Sequence, residues 1–224
     1  MKIGVIGAGR IGGNAGRLLA RAGHEVLFSF TREPEKLHRL VEDTGHGARA
    51  GTPREAAEFG EAVMLAVPWD LIDEALAQAG SLEGKIVIDT TNQFGSGPMP
   101  APGQTAAQFN AARMPGARYT KSFNTLTSGF QASAAGRSGD ERAVLFLCGD
   151  DPEAKRAVSG LIEDAGFVPV DIGPNADASV MEAPRREGAV YGEEYRRADA
   201  TAVVEAVREG RPIPATPTYG RGAD

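Results

Sequence analysis

Lys2-Ile3-Gly4-Val5-Ile6 runs without a break into Gly7-Ala8-Gly9-Arg10-Ile11-Gly12, and Asn14-Ala15-Gly16-Arg17-Leu18-Leu19-Ala20 follows with helical periodicity. An apolar strand, a Gly-x-Gly-x-x-Gly turn and a helix, in that order, open a dinucleotide-binding βαβ unit. Gly7 permits the tight turn, Gly9 leaves no Cβ where a pyrophosphate approaches the main chain, and Gly12 lets helix and strand pack closely. The helix then points its free N–H groups and positive dipole end at the phosphates. Gly7, Ala8, Gly9, Arg10, Ile11 and Gly12 are the expected pyrophosphate cradle. The competing reading, a glycine-rich surface turn, does not account for the strand before it and the helix behind it.

Outward from this motif, short apolar runs alternate with helical patterns, the signature of a parallel sheet covered on both faces. Strands are expected at 2–6, 25–29, 62–67, 85–89, 118–121, 143–148 and 167–171. Helices are expected at 11–22, 33–43, 53–59, 70–79, 105–113, 152–165 and about 194–209. The fold class is α/β, a Rossmann-type doubly wound parallel sheet. Right-handed crossovers then bring the loop-bearing strand ends to one edge. Residues 1–173 are expected to form the dinucleotide-binding Rossmann domain, and 174–224 a C-terminal helical extension and Pro-rich tail rather than an independent domain. Pro212, Pro214 and Pro217 exclude a regular helix after Arg211. That tail is expected to be disordered or to lie as an extended arm on a partner subunit, so a homodimer is anticipated. The Gly/Pro-rich stretch from Phe94 to Gly103 reads either as a lid over substrate or as a surface connection.

A chain of 224 residues buries a full core, and its net charge of -6 offers no basic footprint for nucleic acid. No apolar run approaches the roughly 20 residues that cross a bilayer, so no membrane association is expected. The sequence opens directly into a strand, so no signal peptide is expected. A single cysteine, Cys148, excludes an internal disulfide framework and suits a reducing compartment, so a cytoplasmic protein is expected. Cys148 lies in Val144-Leu145-Phe146-Leu147-Cys148 and reads as a buried small hydrophobe. His24, His38 and His46 have neither metal-ligand spacing nor a carboxylate partner in sequence, so no metal site is expected.

Cofactor choice rests on the end of the second strand, where NAD-selective enzymes place an acid for the ribose hydroxyls. This chain has Ser29-Phe30-Thr31-Arg32 there, with Lys36 one turn further. A hydroxyl, a guanidinium and an ammonium suit a 2′-phosphate, so Thr31, Arg32 and Lys36 are read as an NADP clamp. The alternative is a solvated cation cluster at a helix start, where positive charge is mildly unfavourable. Val67 and Pro68 are expected to line the ribose and nicotinamide path, with Trp69 bordering it or packing, and Asp70 capping the next helix. Asn92, after Asp89-Thr90-Thr91, is either a polar neighbour of the nicotinamide ribose or a turn former.

Further motifs carry a resemblance. With the glycine motif they are Thr31-Arg32, Val67-Pro68-Trp69-Asp70, Lys121-Ser122-Phe123-Asn124-Thr125 and Cys148-Gly149-Asp150-Asp151-Pro152-Glu153-Ala154-Lys155-Arg156. Phe167-Val168-Pro169-Val170-Asp171-Ile172-Gly173-Pro174 and Met181-Glu182-Ala183-Pro184 complete the set. Over about residues 1–184 the chain resembles the NADP oxidoreductases dependent on the deazaflavin coenzyme F420, and the related cytoplasmic reductase domain of the STEAP metalloreductases. The resemblance implies one Rossmann-type domain, with NADPH across the strand ends and a flat redox partner stacked on its nicotinamide. The implied activity is hydride transfer between NADP(H) and a small-molecule acceptor such as F420 or a flavin. Archaeal F420 reductases have His where this chain has Asn124, and the STEAP-like branch has Asn, so the acceptor stays open.

Such chemistry belongs to the cofactors, and the protein supplies orientation. The slot is expected between Val67-Pro68-Trp69, Phe123-Asn124-Thr125 and the loop from Asn92, with Asn124 on the cofactor side. No catalytic residue is assigned: Lys121 or Ser122 could donate to charge accumulating on the acceptor, but Lys121, at a strand end, is expected to be solvated. Two other functions fit a Rossmann domain: an NADPH-binding redox sensor without turnover, and a small-carbonyl or imine reductase. The latter needs a proton donor and a second helical domain, for which the stretch after Pro184 is thin.

Overall fold

A computed structural model describes residues 1–219 and shows one eight-stranded sheet in the order β3-β2-β1-β4-β5-β6-β7-β8. β1 (Lys2–Ile6), β2 (Glu25–Ser29), β3 (Arg49–Ala50), β4 (Ala62–Leu65), β5 (Ile86–Asp89) and β6 (Arg118–Ser122) run parallel. The helices between them are α1 (Arg10–Arg21), α2 (Pro34–Thr44), α3 (Pro53–Phe59), α4 (Ile72–Ala79) and α5 (Ala106–Ala112). This six-strand order is that of the Rossmann fold. β1 and β4 are apolar on both faces, as central parallel strands must be. One face of the sheet packs Ile6, Leu65, Val87 and Phe146 under α3, α4, α5 and α8 (Arg197–Arg208). The other packs Val5, Met64, Ile88 and Leu145 under α1 and α7 (Pro152–Asp164).

The last two strands depart from the expected all-parallel sheet. β7 (Val144–Gly149) is antiparallel to β6, with Lys121 opposite Cys148, and β8 (Val168–Gly173) runs parallel to β7. The turns after β7 and β8 therefore lie on the edge opposite the glycine motif. Residues 123–143 contain only the short helix α6 (Ser128–Ala134) and a 3-10 turn, and they return the chain to the edge it left. Without a crossover there is no parallel pairing.

Local chemistry sets the helix starts. α3 and α5 open with capping boxes, Thr52 with Glu55 and Thr105 with Gln108. Asp151 accepts from the N–H groups of Glu153 and Ala154 at 2.8 and 3.0 Å, with Pro152 in the first turn of α7. Asp70 does not cap as expected. It sits inside a 3-10 turn, Trp69–Leu71, and α4 begins at Ile72 without a side-chain cap. β3, α6 and the 3-10 segment Asn175–Met181 were not anticipated, each being too short or irregular to carry a periodic signal.

The extension folds back on the sheet, with Ala200, Val203 and Ala206 of α8 buried and the Val144 N–H donating to the Tyr195 carbonyl. Residues 212–219 have no regular structure, yet they lie against their own chain. Tyr219 accepts from the Arg196 N–H at 2.8 Å and donates to Asp199 at 2.6 Å, and the Arg196 guanidinium stands 4.3 Å from its ring centroid. The expectation of disorder is thus replaced at Tyr219 by an intrachain contact. Residues 220–224, included in the expected tail, lie outside the described residues. No described helix is long and apolar enough to cross a membrane.

Asp151 also receives Arg118 at 2.6 Å, and this bond, with the α7 N–H groups, holds its carboxyl well below the usual range. Asp151→Ala should cost about 1 kcal/mol for the lost cap, while Asp151→Asn keeps the cap and loses the charge. A depressed carboxyl stabilises the fold above its unfolded value of about 3.9 and ceases to do so as pH falls through the native value. Urea midpoints of wild type and Asp151→Asn should accordingly differ at neutral pH and converge in acid; a pH-independent difference would contradict the charge pairing.

Candidate functional site

The cradle forms where β1 ends. Gly7 has φ +115°, and a Cβ there would lie 2.3 Å from the Ala66 carbonyl oxygen; one at Gly12 would lie 2.1 Å from the Gly7 oxygen. Gly9 faces open space. α1 begins at Arg10 with no side-chain cap and no acid in its first turn, whereas α3, α5, α6 and α7 are capped by Thr52, Thr105, Thr127 and Asp151. The first-turn N–H groups of α1, including Ile11, are thus left to an external acceptor. The Gly7 and Ala8 N–H groups both donate to the Ser29 carbonyl, at 3.0 and 3.1 Å, tying the end of β2 to the cradle. Phe30 and Phe123, at the ends of β2 and β6, hold left-handed φ values of 58° and 59°. Such backbone is costly for a bulky residue and concentrates at functional edges.

On one side of the cradle a cavity of about 270 Å³ brings Gly7, Ala8 and Gly9 together with Thr31, Arg32, Lys36, Val67 and Pro68. The Thr31 hydroxyl accepts from the Glu33 N–H at 3.2 Å, and Lys36 pairs with Glu33 at 2.6 Å. Glu33 is an acid the clamp reading did not include. The pair is exposed on both sides, so little free energy opposes its exchange for a phosphate. Arg32 is exposed, and among the described residues it has no ion-pair partner.

On the other side lies a cleft of about 670 Å³, where Arg10, Ile11, Val67 and Pro68 meet Thr90, Thr91, Asn92, Asn124 and Thr125. Trp69 reaches this cleft only by an edge: it is buried, stacks on Phe109 with ring centroids 5.9 Å apart, and donates from Nε1 to the Pro98 carbonyl at 2.9 Å. That bond tethers the Phe94–Gly103 stretch to the cleft. Phe94 stays 55% exposed beside Tyr191, with centroids 6.1 Å apart. Asn92 donates from Nδ2 to the Asn124 carbonyl at 3.0 Å and accepts from the Ala183 N–H at 3.2 Å. Asn124 donates to the Met181 carbonyl at 2.7 Å, while its own Oδ1 is buried without a partner. The two asparagines join the ends of β5 and β6 to the 181–183 segment, and Asn124 keeps one acceptor free. Arg185, Tyr191 and Gly192 also line the cleft and were missed. They lie in the extension, where only the neighbouring Met181-Glu182-Ala183-Pro184 hinted at a site.

Lys121 is not solvated. It is fully buried, donating to the Thr91 carbonyl at 2.6 Å and standing 3.4 Å from Asp89. Asp89 also accepts from Tyr119 at 2.5 Å, Asn110 at 2.8 Å and the Thr91 N–H at 2.7 Å. Burial opposes its ionisation, but Lys121 and these donors outweigh it and hold the carboxyl below its ordinary value. Burial, followed by Asp89, pushes the Tyr119 phenol well up. Ser122 donates to the Phe146 carbonyl at 2.8 Å. Cys148 is buried as expected, and burial pushes its thiol up to about 12. His24 gains a carboxylate partner only through folding, Asp164 at 3.0 Å. Among the described residues no group of three or more metal-ligating side chains gathers.

An uncapped helix behind a glycine turn, flanked by a cationic and an aromatic cavity at the C-terminal edge of a Rossmann sheet, is the arrangement of a dinucleotide-binding domain. Residues 2–93 match the family of NADP oxidoreductases dependent on coenzyme F420, which bears out the resemblance read from the motifs. Metalloreductase STEAP3 of Rattus norvegicus is 29% identical over 182 residues, 81% of this chain and 36% of that protein. Metalloreductase STEAP2 of Mus musculus is 25% identical, over 80% of this chain and 35% of its own length. The chain thus spans about a third of these curated relatives. Among solved structures, the Sinorhizobium meliloti hypothetical protein SMa0349 is 27% identical with a TM-score of 0.77, covering 88% of this chain and 95% of that one. A protein from Arthrobacter sp. FB24, provisionally described as an F420-dependent NADP reductase, is 27% identical with a TM-score of 0.66, covering 80% and 87%. An imine reductase from Aspergillus terreus, at 22% identity, shares the fold.

Removing Lys121 strands a buried carboxylate beneath the cleft. Lys121→Met should destabilise the fold by about 3–5 kcal/mol, the scale of breaking a buried ion pair from one side. Lys121→Met combined with Asp89→Asn should recover most of it. Urea titration reads both, and a double variant no better than the single one would refute the coupling.

Proposed function

We propose that this chain is an NADPH-dependent oxidoreductase that passes a hydride between NADP(H) and a flat redox acceptor, a deazaflavin such as coenzyme F420 or a flavin. The observation that carries the reading is the continuity of the crevice: Gly9 borders both cavities, the cationic one and the aromatic one. The α1 N-terminus would receive the pyrophosphate on first-turn N–H groups that no side chain occupies. Thr31, Arg32 and Lys36 would hold the adenosine 2′-phosphate, Lys36 leaving Glu33 to do so. Val67 and Pro68 form the wall between the two cavities. The buried, unpaired Oδ1 of Asn124 suits an amide or hydroxyl donor of the cofactor, and Asn92 fixes the Asn124 backbone. When bound, nicotinamide supplies the hydride. The protein's part is to bring donor and acceptor within reach and keep water out. Phe94 and Tyr191 present aromatic surface suited to a planar ring system. No proton donor is required of the chain for hydride transfer between such rings.

NADPH should bind at least about tenfold tighter than NADH in a calorimetric comparison, because the second strand ends without the ribose-binding acid. Arg32→Ala should lose about 1.5–3 kcal/mol of NADPH affinity, the range of a hydrogen bond to a charged group, with little change for NADH. Equal affinities, or equal losses, would remove the clamp. Oxidation of NADPH should be measured with F420, FMN and a ferric chelate in parallel. Turnover with a planar acceptor supports the proposal, while tight NADPH binding with no turnover on any of the three would favour a redox sensor.

A further inference from the structure

Two irregular segments wall the aromatic cleft, Phe94–Gly103 and 181–192. Neither belongs to a strand, yet Phe94 and Tyr191 stand together as one aromatic face with centroids 6.1 Å apart. Glu182 is the side chain that joins the two segments. Its carboxylate is buried and accepts from the Ala106 N–H at 2.9 Å and the Ala107 N–H at 2.8 Å, in the first turn of α5. α5 begins three residues after Gly103, and its Phe109 stacks on Trp69, which donates to the Pro98 carbonyl. A contact made at Ala106 and Ala107 therefore reaches the Phe94 stretch both along the chain and through Trp69. The backbone on either side of Glu182 faces the cleft asparagines. The Met181 carbonyl accepts from Asn124 at 2.7 Å, and the Ala183 N–H donates to Asn92 at 3.2 Å. Arg186 closes the segment on itself, donating to the carbonyls of Ser179, of Glu182 at 2.8 Å and of Pro184 at 3.0 Å.

A helix start alone does not call for this residue. Thr105 already caps α5, accepting from the Gln108 N–H at 3.0 Å, and α3, α6 and α7 are served by a local Thr or Asp. Ala106 and Ala107 are fully buried, so water cannot satisfy their N–H groups, and a buried donor left unpaired is costly. One carboxylate meets both, although burying a charge is itself expensive. Among the described residues no Lys or Arg pairs with that carboxylate, so its charge is met by the two N–H groups. A bond across 75 residues of sequence does what a local cap cannot: it fixes one wall of the cleft against the other.

We propose that Glu182 is a positioning residue for the redox acceptor: its carboxylate couples the two irregular walls, so that Phe94 and Tyr191 are presented to the acceptor's ring as one surface. The acceptor role rests on the function proposed above, whereas the coupling of the walls does not. Binding of NADPH is independent of this junction, because the glycine cradle and the Thr31-Arg32 turn sit at the ends of β1 and β2.

The test is Glu182→Gln, which keeps the size of the side chain and turns one acceptor into a donor facing an N–H. In hydrogen-exchange mass spectrometry the amides of 94–110 and of 181–192 should both exchange at least about tenfold faster, the factor expected when one charge-assisted hydrogen bond is lost. Those of β1 and α1 should keep their protection. With saturating NADPH, kcat/KM for FMN should fall at least about tenfold, as misplacement of a reacting ring does, while the Kd for NADPH is unchanged. Glu182→Asp keeps the charge on a shorter arm and should lie between the two proteins in both readouts; it carries the test if Glu182→Gln does not fold. Unaltered FMN kinetics, or faster exchange confined to the first turn of α5, would reduce Glu182 to a helix cap and overturn the proposal. Equal weakening of NADPH and FMN, or protection lost across the whole sheet, would overturn it as well. Should no acceptor turn over with wild type, the proposed function falls, and exchange alone decides whether the walls are coupled.

Discussion

The site depends on one geometric constraint, the close approach of the α1 start to the β1 end and to the turn after β4. With a Cβ at Gly12 the helix would collide with the Gly7 carbonyl, and with one at Gly7 the turn would collide with Ala66. Because neither is present, the helix axis points across the sheet edge with its first N–H groups bare. Everything else is arranged around that positive end. The Ser29 carbonyl fixes β2 to it through two hydrogen bonds, and the left-handed Phe30 then turns the following residues over it. Arg32, just before α2, and Lys36, on it, reach one flank, and the aromatic cleft occupies the other.

A second constraint lies beneath the cleft. Asp89 and Lys121, both wholly buried at the ends of adjacent parallel strands, share their hydrogen bonds with Thr91, Tyr119 and Asn110. Thr91 is gripped twice, by its N–H to Asp89 and by its carbonyl to Lys121. Thr91 and its two neighbours line the cleft floor. A buried ion pair gains little net stability over an apolar pair, so its value is more plausibly geometric: it fixes the main chain where the cofactor's redox end would lie. The Asn92–Asn124–Ala183 bonds extend that rigid floor to the extension.

β1, β2, β4, β5 and β6 of the Rossmann half were legible in the sequence because each is a short apolar run beside a helix of distinct period. The glycine cradle, the Thr31-Arg32 turn and the Val67-Pro68 wall followed from position relative to those strands. Three things were not legible. The reversal of β7 was hidden because strand direction is set by the path of the connection, and 123–143 carries too short a helix to reveal it. The burial of Lys121 was hidden because its partners, Asp89 and the Thr91 carbonyl, lie 32 and 30 residues away in sequence. The partner of His24, 140 residues away, is a tertiary fact that no local spacing encodes.

The extension illustrates the same limit from the functional side. Between Pro184 and α8 its sequence has no strong period, yet this stretch sends Arg185, Tyr191 and Gly192 to the cleft, while α8 and Tyr219 hold the chain against its own sheet. The Gly192 N–H donates to the Thr125 carbonyl at 2.8 Å, so the extension closes directly onto the end of β6. The nucleotide-binding half is therefore built from the regular part of the fold, where backbone geometry sets the chemistry. The half proposed to take the acceptor is built from irregular segments, Phe94–Gly103 and 185–192, where side chains set it. Under that proposal, specificity for the acceptor is free to change in those segments without disturbing the cradle, because neither supplies a strand to the sheet or a residue to the glycine turn.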